Sequence, residues 1–240
     1  MLIEYSTICD IGRHREINQD SIYAYSGNNW AIFVIADGMG GHSEGERAST
    51  EITNAYKMWI DQDKENLSGY SLKYLTSLVK QILLETNERI YHDNEDGIIC
   101  GSTAVILFIV NGAYILLSVG DSRCYELRHK FLRRCLFQLN TDEVNIVSPY
   151  NKKLTNAVGV RVPLNYKIMT AALPSKSLLL LCTDGVYNYC SVNQLCRIMS
   201  RSDRIGLEGA VNEIKGSVYL ADAKDNFSAI LVRVNSITKA

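Results

Sequence analysis

The sequence predicts an α+β domain in which apolar strands lie buried between other layers. Residues 30–35 (Trp-Ala-Ile-Phe-Val-Ile) form an unbroken apolar run, as expected of a strand covered on both faces. From Gly101 onward the pattern is strand-like, with runs at 103–110, 113–119, 123–127 and 131–139 joined by short turns. Residues 44–60 and 70–93, between these regions, repeat apolar side chains at helical spacing, so helices and strands are segregated along the chain.

In chain order, residues 2–9 are expected to form a first strand, 10–20 a polar loop and 21–25 a second strand. In the helix expected over 70–93, Leu72, Leu75, Leu78, Val79, Ile82, Leu83 and Ile90 make one core-facing stripe. Asn111-Gly112 is a strong hairpin signal between two of the strands. Residues 140–165 are polar, broken by Pro149 and Pro163, and carry little periodicity. Strands resume at 166–172 and 177–182, helices are expected at 191–200 and 205–220, and a strand at 228–234 closes the chain. No internal repeat or low-complexity segment interrupts this order.

Composition narrows the function classes. The chain has 240 residues, 47% of them hydrophobic and 21% charged, with a formal net charge of −1. Bulk charge therefore gives no reason to expect a nucleic-acid or membrane-surface partner. No run reaches the ~18 apolar residues of a membrane span, and the first residues lack the features of a signal peptide. Seven cysteines form no Cys-x-x-Cys pair and several sit in apolar runs, so they read as small buried hydrophobes in a reducing, cytoplasmic setting.

Chemistry concentrates in aspartates. Asp37, Asp121, Asp184 and Asp225 each stand at the edge of an apolar strand, and Asp20 at the start of another. Asp37 leads into Gly38-Met39-Gly40-Gly41-His42, where glycine lets the backbone turn and lets a carbonyl approach a ligand. A single Asp-Gly is most often a solvated turn. Five carboxylates brought together would repel one another unless cations lay among them. An all-oxygen set suits Mg²⁺ or Mn²⁺ rather than zinc. Two such ions can activate a water and clamp a phosphoryl group, whose oxygens Arg15 can hold bidentately. The residues alone thus point to dinuclear metal and phosphoester chemistry, with convergence of the aspartates as its premise.

Six motifs occur in an order that resembles one family. They are Arg13-x-Arg15-x-x-Asn18-Gln19-Asp20, Ala36-Asp37-Gly38-Met39-Gly40-Gly41-His42, Gly101-Ser102-Thr103-Ala104, Val119-Gly120-Asp121-Ser122-Arg123, Cys182-Thr183-Asp184-Gly185 and Asp225-Asn226. The chain is similar over about residues 5–234 to the metal-dependent protein phosphatases (protein phosphatase 2C, or PPM), the bacterial members most of all. The resemblance implies a four-layer α-β-β-α sandwich of two antiparallel sheets flanked by helices, as a single catalytic domain over residues 1–240. It implies two Mn²⁺ or Mg²⁺ ions with a weaker third. Asp37 would bridge the ions, the Gly38 carbonyl would bind one, Asp184 and Asp225 would bind the other, and Asp20 would act nearby. Asp121 with Asp184 would hold the third ion, and Arg15 would bind the substrate phosphate.

Two departures from the family pattern bear on function. Gln19 stands where many members carry Glu, and Glu143 stands where the family's Leu-Thr-x-Asp-His-Ser segment has its histidine. Few residues separate that segment from Leu154-Thr155-Asn156, so the flap around 140–165 is expected to be short or missing. His42 is a candidate proton donor to the leaving alkoxide, although animal-type members place a histidine at the position of Met39.

The expected activity is a cytoplasmic, monomeric serine/threonine protein phosphatase that acts on phosphoproteins and opposes a serine/threonine kinase. The expected partners include neither nucleic acid nor membrane. The alternative is a non-catalytic regulatory module on the same fold, against which the presence of Asp37, Asp184 and Asp225 weighs. A calcium-stabilised structural domain is weaker still, because calcium ligands usually come from one loop.

Overall fold

The computed structural model describes residues 1–40, 44–94, 100–130, 133–148 and 151–235. The first strands are β1 (Leu2–Asp10), β2 (Asp20–Ser26) and β3 (Trp30–Met39). Helices α1 (Glu44–Asp63) and α2 (Leu72–Asp93) follow, the second capped by the Ser71 hydroxyl, which accepts from Tyr74 N at 3.2 Å. Next come β4 (Gly101–Ser102), β5 (Ala104–Val110), β6 (Ala113–Val119), β7 (Arg123–Lys130) and β8 (Arg133–Gln138). The β5–β6 turn is the expected Asn-Gly hairpin, with positive φ at both Asn111 (48°) and Gly112 (80°). The chain then forms β9 (Val144–Ser148), β10 (Asn151–Leu154), β11 (Lys167–Ala172), β12 (Lys176–Cys182), α3 (Asp184–Tyr187), α4 (Val192–Leu220) and β13 (Phe227–Asn235).

Two antiparallel sheets stack face to face. One has the order β1-β13-β12-β7-β8 and the other β11-β6-β5-β3-β2, with β4 paired to the end of β3. The alternation along β3 explains why it reads as continuously apolar. Ile32, Val34 and Ala36 pack under α1 and α2, while Ala31, Phe33 and Ile35 face the other sheet. In β12 and β13, Leu179, Leu181, Ile230 and Val232 point between the sheets, and Leu180, Cys182, Ala229 and Leu231 meet α4. The result is the expected α-β-β-α sandwich.

Several local expectations change. The third strand does not stop at residue 35: Asp37 and Gly38 belong to β3, where Gly38 pairs with Ser102 of β4. The two helices expected after residue 190 form one run broken at Gly206, whose φ of 76° no other residue type adopts readily. Residues 140–165, illegible as sequence, contain a two-stranded hairpin of β9 and β10 apart from both large sheets. Cysteines 100, 124, 182 and 190 are buried as expected, whereas Cys9 is exposed and Cys135 and Cys196 are half-buried. Among the described residues no helix is long and apolar enough to cross a membrane.

Candidate active site

The aspartates gather at one end of the sandwich. Pairing of β2 with β3 sets Asp20 directly opposite Asp37. The backbone around Asp37 is clamped by the next motif: its N–H donates to Thr103 Oγ1 (3.0 Å), and its carbonyl accepts from Thr103 N (2.9 Å) and Ser102 Oγ (2.9 Å). Thr103 Oγ1 in turn shares a 2.7 Å hydrogen bond with Ser122 Oγ, tying β3 to the Asp121 turn. Gly38 is required for space. A Cβ there would lie 2.0 Å from the Gly45 carbonyl oxygen, where α1 begins.

The remaining three aspartates arrive from both sheets. Asp121 follows Gly120, whose φ of 88° turns the chain between β6 and β7. Tyr187 OH donates to Asp121 Oδ2 at 3.1 Å, and the Arg123 guanidinium lies 3.5 Å over the Tyr187 ring. Asp142 holds Arg123 from the other side, its Oδ2 2.6 Å from Nη2. Asp184 opens α3, and the preceding Thr183 donates from Oγ1 to Asp20 Oδ2 at 2.9 Å while accepting from Ser228 N at 3.0 Å. Asp225 lies two residues before β13, next to Asn226. The Asn226 amide accepts from Gln19 N (2.9 Å) and donates to the carbonyls of Ile11 (2.9 Å) and Ile17 (3.1 Å), so one side chain shapes the whole 11–19 loop.

A family model for protein phosphatase 2C matches residues 13–204. The chain belongs to the protein phosphatase 2C family. It is 26% identical to the serine/threonine phosphatase Stp of Listeria welshimeri, over 96% of this chain and 95% of that one. Against the protein phosphatase PhpP of Streptococcus pneumoniae the identity is 26%, covering 97% and 98% of the two chains. The fold matches the S. agalactiae serine/threonine phosphatase with a TM-score of 0.85 at 23% identity, over 98% of this chain and 100% of that one. Stp1 of Staphylococcus aureus gives a TM-score of 0.84 at 23% identity, over 98% and 96%.

Within this phosphatase the carboxylates perturb one another. Burial pushes the Asp20 carboxyl up to about 7, and the charges of Asp184 and Asp225 add to that against the Thr183 hydrogen bond. Asp37 is raised well above the ordinary carboxylate range by loss of water, then by the charges of Asp20, Asp184, Asp121 and Asp225. Asp184 rises to about 6 through burial and the charges of Asp121 and Asp225, with a hydrogen bond from Asp37 acting in the opposite sense. Asp121 is raised by burial, against the hydrogen bond from Tyr187. Burial and the charges of Asp121 and Asp184 keep the Tyr187 phenol protonated, and so a donor. Such a set of mutually destabilised carboxylates fits hard divalent cations, which supply the missing positive charge to oxygen donors. Among the described residues no three Asp, Glu, His or Cys side chains form a ready-made metal cage. Charge, more than shared geometry, couples the aspartates.

Arg15 faces the same cluster. Its Nε and Nη2 bind Asp225 Oδ1 and Oδ2 at 2.8 and 2.9 Å, and that pairing, with the charges of Asp37 and Asp184, strengthens its hold on the proton. A cavity of about 250 Å³ beside it is lined by His14, Arg15, Glu16, Ile17, Gln19 and Gly40. The structure thus brings together Arg15, Asp20, Asp37, Gly38, Asp121, Asp184 and Asp225. His42 lies outside the described residues. Sequence reasoning missed the roles of Asn226, Thr183, Tyr187 and Asp142. Asn226 and Thr183 lie within quoted motifs, but Tyr187 carries no local signal. Glu143, in the position of the family's histidine, accepts from Gly120 N and Asn156 Nδ2, both at 2.9 Å, and so fastens the base of the β9–β10 hairpin to the Asp121 turn.

Proposed function

We propose that the cleft is a dinuclear metal centre that hydrolyses phosphoserine and phosphothreonine in proteins, with the 1–240 chain as one catalytic domain whose counterpart is a serine/threonine kinase. The observation that carries this reading is Asp37, placed opposite Asp20 and within the field of Asp184, Asp121 and Asp225. Membership of a protein phosphatase family and the serine/threonine phosphatases among the relatives support the substrate class.

Asp37 and the Gly38 carbonyl would hold one ion, with Asp184 and Asp225 on the other and Asp37 between them. Asp20 would act beside them, and Asp121 with Asp184 would hold a weaker third. When bound, the Mn²⁺ or Mg²⁺ pair supplies Lewis acidity, lowering the pKa of water and offsetting charge on the phosphoryl oxygens. Arg15 orients the substrate. Its planar fork binds either the Asp225 carboxylate or two phosphoryl oxygens, which makes Arg15 and Asp225 an exchangeable pair. Asn226 keeps the loop that carries Arg15 in shape, and the Ser102-Thr103 clamp fixes Asp37. His42 is the candidate donor of a proton to the leaving alkoxide.

The test is phosphate release from p-nitrophenyl phosphate and from a phosphothreonine peptide. Release is expected with Mn²⁺ and lost with EDTA. Metal-dependent turnover that survives in Asp37→Asn would overturn the assignment. In a strain lacking the gene, protein phosphoserine and phosphothreonine should rise; no change would remove the proposed opposition to a kinase.

A further inference from the structure

Although the chain is nearly neutral overall, one region is strongly cationic. At the far end of the β7–β8 hairpin, cross-strand pairing sets His129 opposite Arg134 and Lys130 opposite Arg133. The directly opposed like charges of Lys130 and Arg133 cost stability in a sheet, so this end tolerates repulsion that an anion would relieve. Arg134 leans on α4, with Nη1 donating to the Ser200 carbonyl at 2.6 Å, one helical turn from Arg197 and Arg204. Alternation along the strands puts His129 and Arg134 on the face that meets α4, with Leu127 and Leu136, and puts Lys130 and Arg133 on the opposite face, with Arg128. The exposed acid on α4, Asp203, is already shared by Arg134 (3.7 Å) and Arg233 (3.2 Å). Among the described residues Lys130, Arg133, Arg197 and Arg204 make no ion pair. A cavity of about 370 Å³ opens on the other side of the hairpin, with Arg128, His129 and Lys176 in its wall. Glu126 also lines it, paired to Arg128.

The position of this patch relative to the cleft selects its occupant. Strand β7 begins at Arg123, two residues past Asp121, and ends at Lys130. Nine residues of extended chain from Asp121 to Lys130 span about 30 Å, so a polypeptide with its phosphorylated residue at the aspartates reaches the basic end in roughly nine extended residues. We propose that the end of the β7–β8 hairpin docks an acidic segment of the phosphoprotein substrate. This rests on the reading of the aspartate cleft as a protein phosphatase centre. Charge complementarity here selects substrates and speeds their capture, while the cleft performs the same chemistry on all of them.

Two phosphothreonine peptides with the same core test it, one carrying an Asp/Glu tail beginning about nine residues from the phosphothreonine and one a Ser/Gly tail. The acidic tail should lower KM about fivefold to tenfold in 50 mM salt with kcat unchanged, and the gain should fade in 500 mM salt. In the variant Lys130→Ser/Arg133→Ser the two peptides should have equal KM, while p-nitrophenyl phosphate turnover stays at the parent rate. Equal KM for both peptides in the parent enzyme, or a preference that persists in the variant, overturns the proposal. Inhibition of peptide turnover by anionic vesicles or an oligonucleotide, but not by the unphosphorylated acidic tail, would also overturn it and assign the patch to that other partner. If p-nitrophenyl phosphate is not hydrolysed at all, the reading of the cleft fails instead. Fluorescence anisotropy of the unphosphorylated acidic peptide then decides the patch on its own: binding lost in the variant supports docking, and absence of binding overturns it.

Discussion

Arg15 grips Asp225 through both arms of one fork, Nε to Oδ1 at 2.8 Å and Nη2 to Oδ2 at 2.9 Å, across 210 residues of sequence. The pair joins the group proposed to bind phosphate to a group proposed to bind metal. Arg15→Ala should raise KM for a phosphothreonine peptide by about tenfold to a hundredfold, the loss of one charge-assisted bidentate contact. Mn²⁺ affinity measured by calorimetry should be retained, because Asp225 loses a competitor. Arg15→Lys should recover only part of the effect, since an ammonium cannot present the fork. An unchanged KM would remove Arg15 from the site.

Asp37→Asn keeps the shape of the side chain and removes its charge. Catalytic efficiency with Mn²⁺ should fall by about a hundredfold or more, as expected when a carboxylate central to metal binding is lost. Calorimetry should report weaker Mn²⁺ binding in parallel. Full Mn²⁺ affinity in this variant would contradict the proposed ligand set.

The aspartate cluster predicts a pH dependence of stability in the metal-free protein. In the folded state Asp20 is held near 7 and Asp184 near 6, against an ordinary 3.8, in a cleft they share with Asp37, Asp121, Asp225 and Arg15. A carboxyl raised by folding binds its proton more tightly in the folded state, so stability is lost as pH rises from about 4 through about 7. In EDTA the Tm should therefore climb as pH is lowered from 8 to 5. Saturating Mn²⁺ should flatten this trend. A Tm in EDTA that falls over that interval would show that the carboxylates are not crowded.

Tyr187 reaches Asp121 from α3 while Arg123 lies across its ring. Tyr187→Phe keeps the stack and deletes the donor. Stability should change by about 1 kcal/mol or less, the ordinary net value of one hydrogen bond. The weakest Mn²⁺ binding step, which Asp121 would support, should shift to higher concentration in a calorimetric titration. An unaltered titration would confine Tyr187 to packing.

Asn226 makes three hydrogen bonds to the backbone of the 11–19 loop and is buried. Asn226→Ala leaves those groups without their partner and should cost about 2–3 kcal/mol, read as a lower urea midpoint. KM should rise along with it, since Arg15 rides on that loop. A loss of stability with KM unchanged would separate Asn226 from the position of Arg15.

The chain's own pattern determined the long strands of the two large sheets and most of their bounds, but not β4 or the β9–β10 hairpin. A strand buried on both faces is apolar at every position, and a helix on a sheet carries one apolar stripe. Both signals are local, and Trp30–Met39 and Leu72–Asp93 carry them plainly. Aspartates at strand edges, and glycines such as Gly38 and Gly120 where a Cβ would collide or φ is positive, were legible for the same reason. The pairing of Arg15 with Asp225, the Arg123 stack on Tyr187 and the hold of Asn226 on a loop more than 200 residues away were not. Nor was the cationic hairpin end, because net charge averages over the surface what cross-strand register concentrates in one place. Local periodicity fixes which face of an element is buried; which side chains meet across the sandwich depends on the path by which the chain returns.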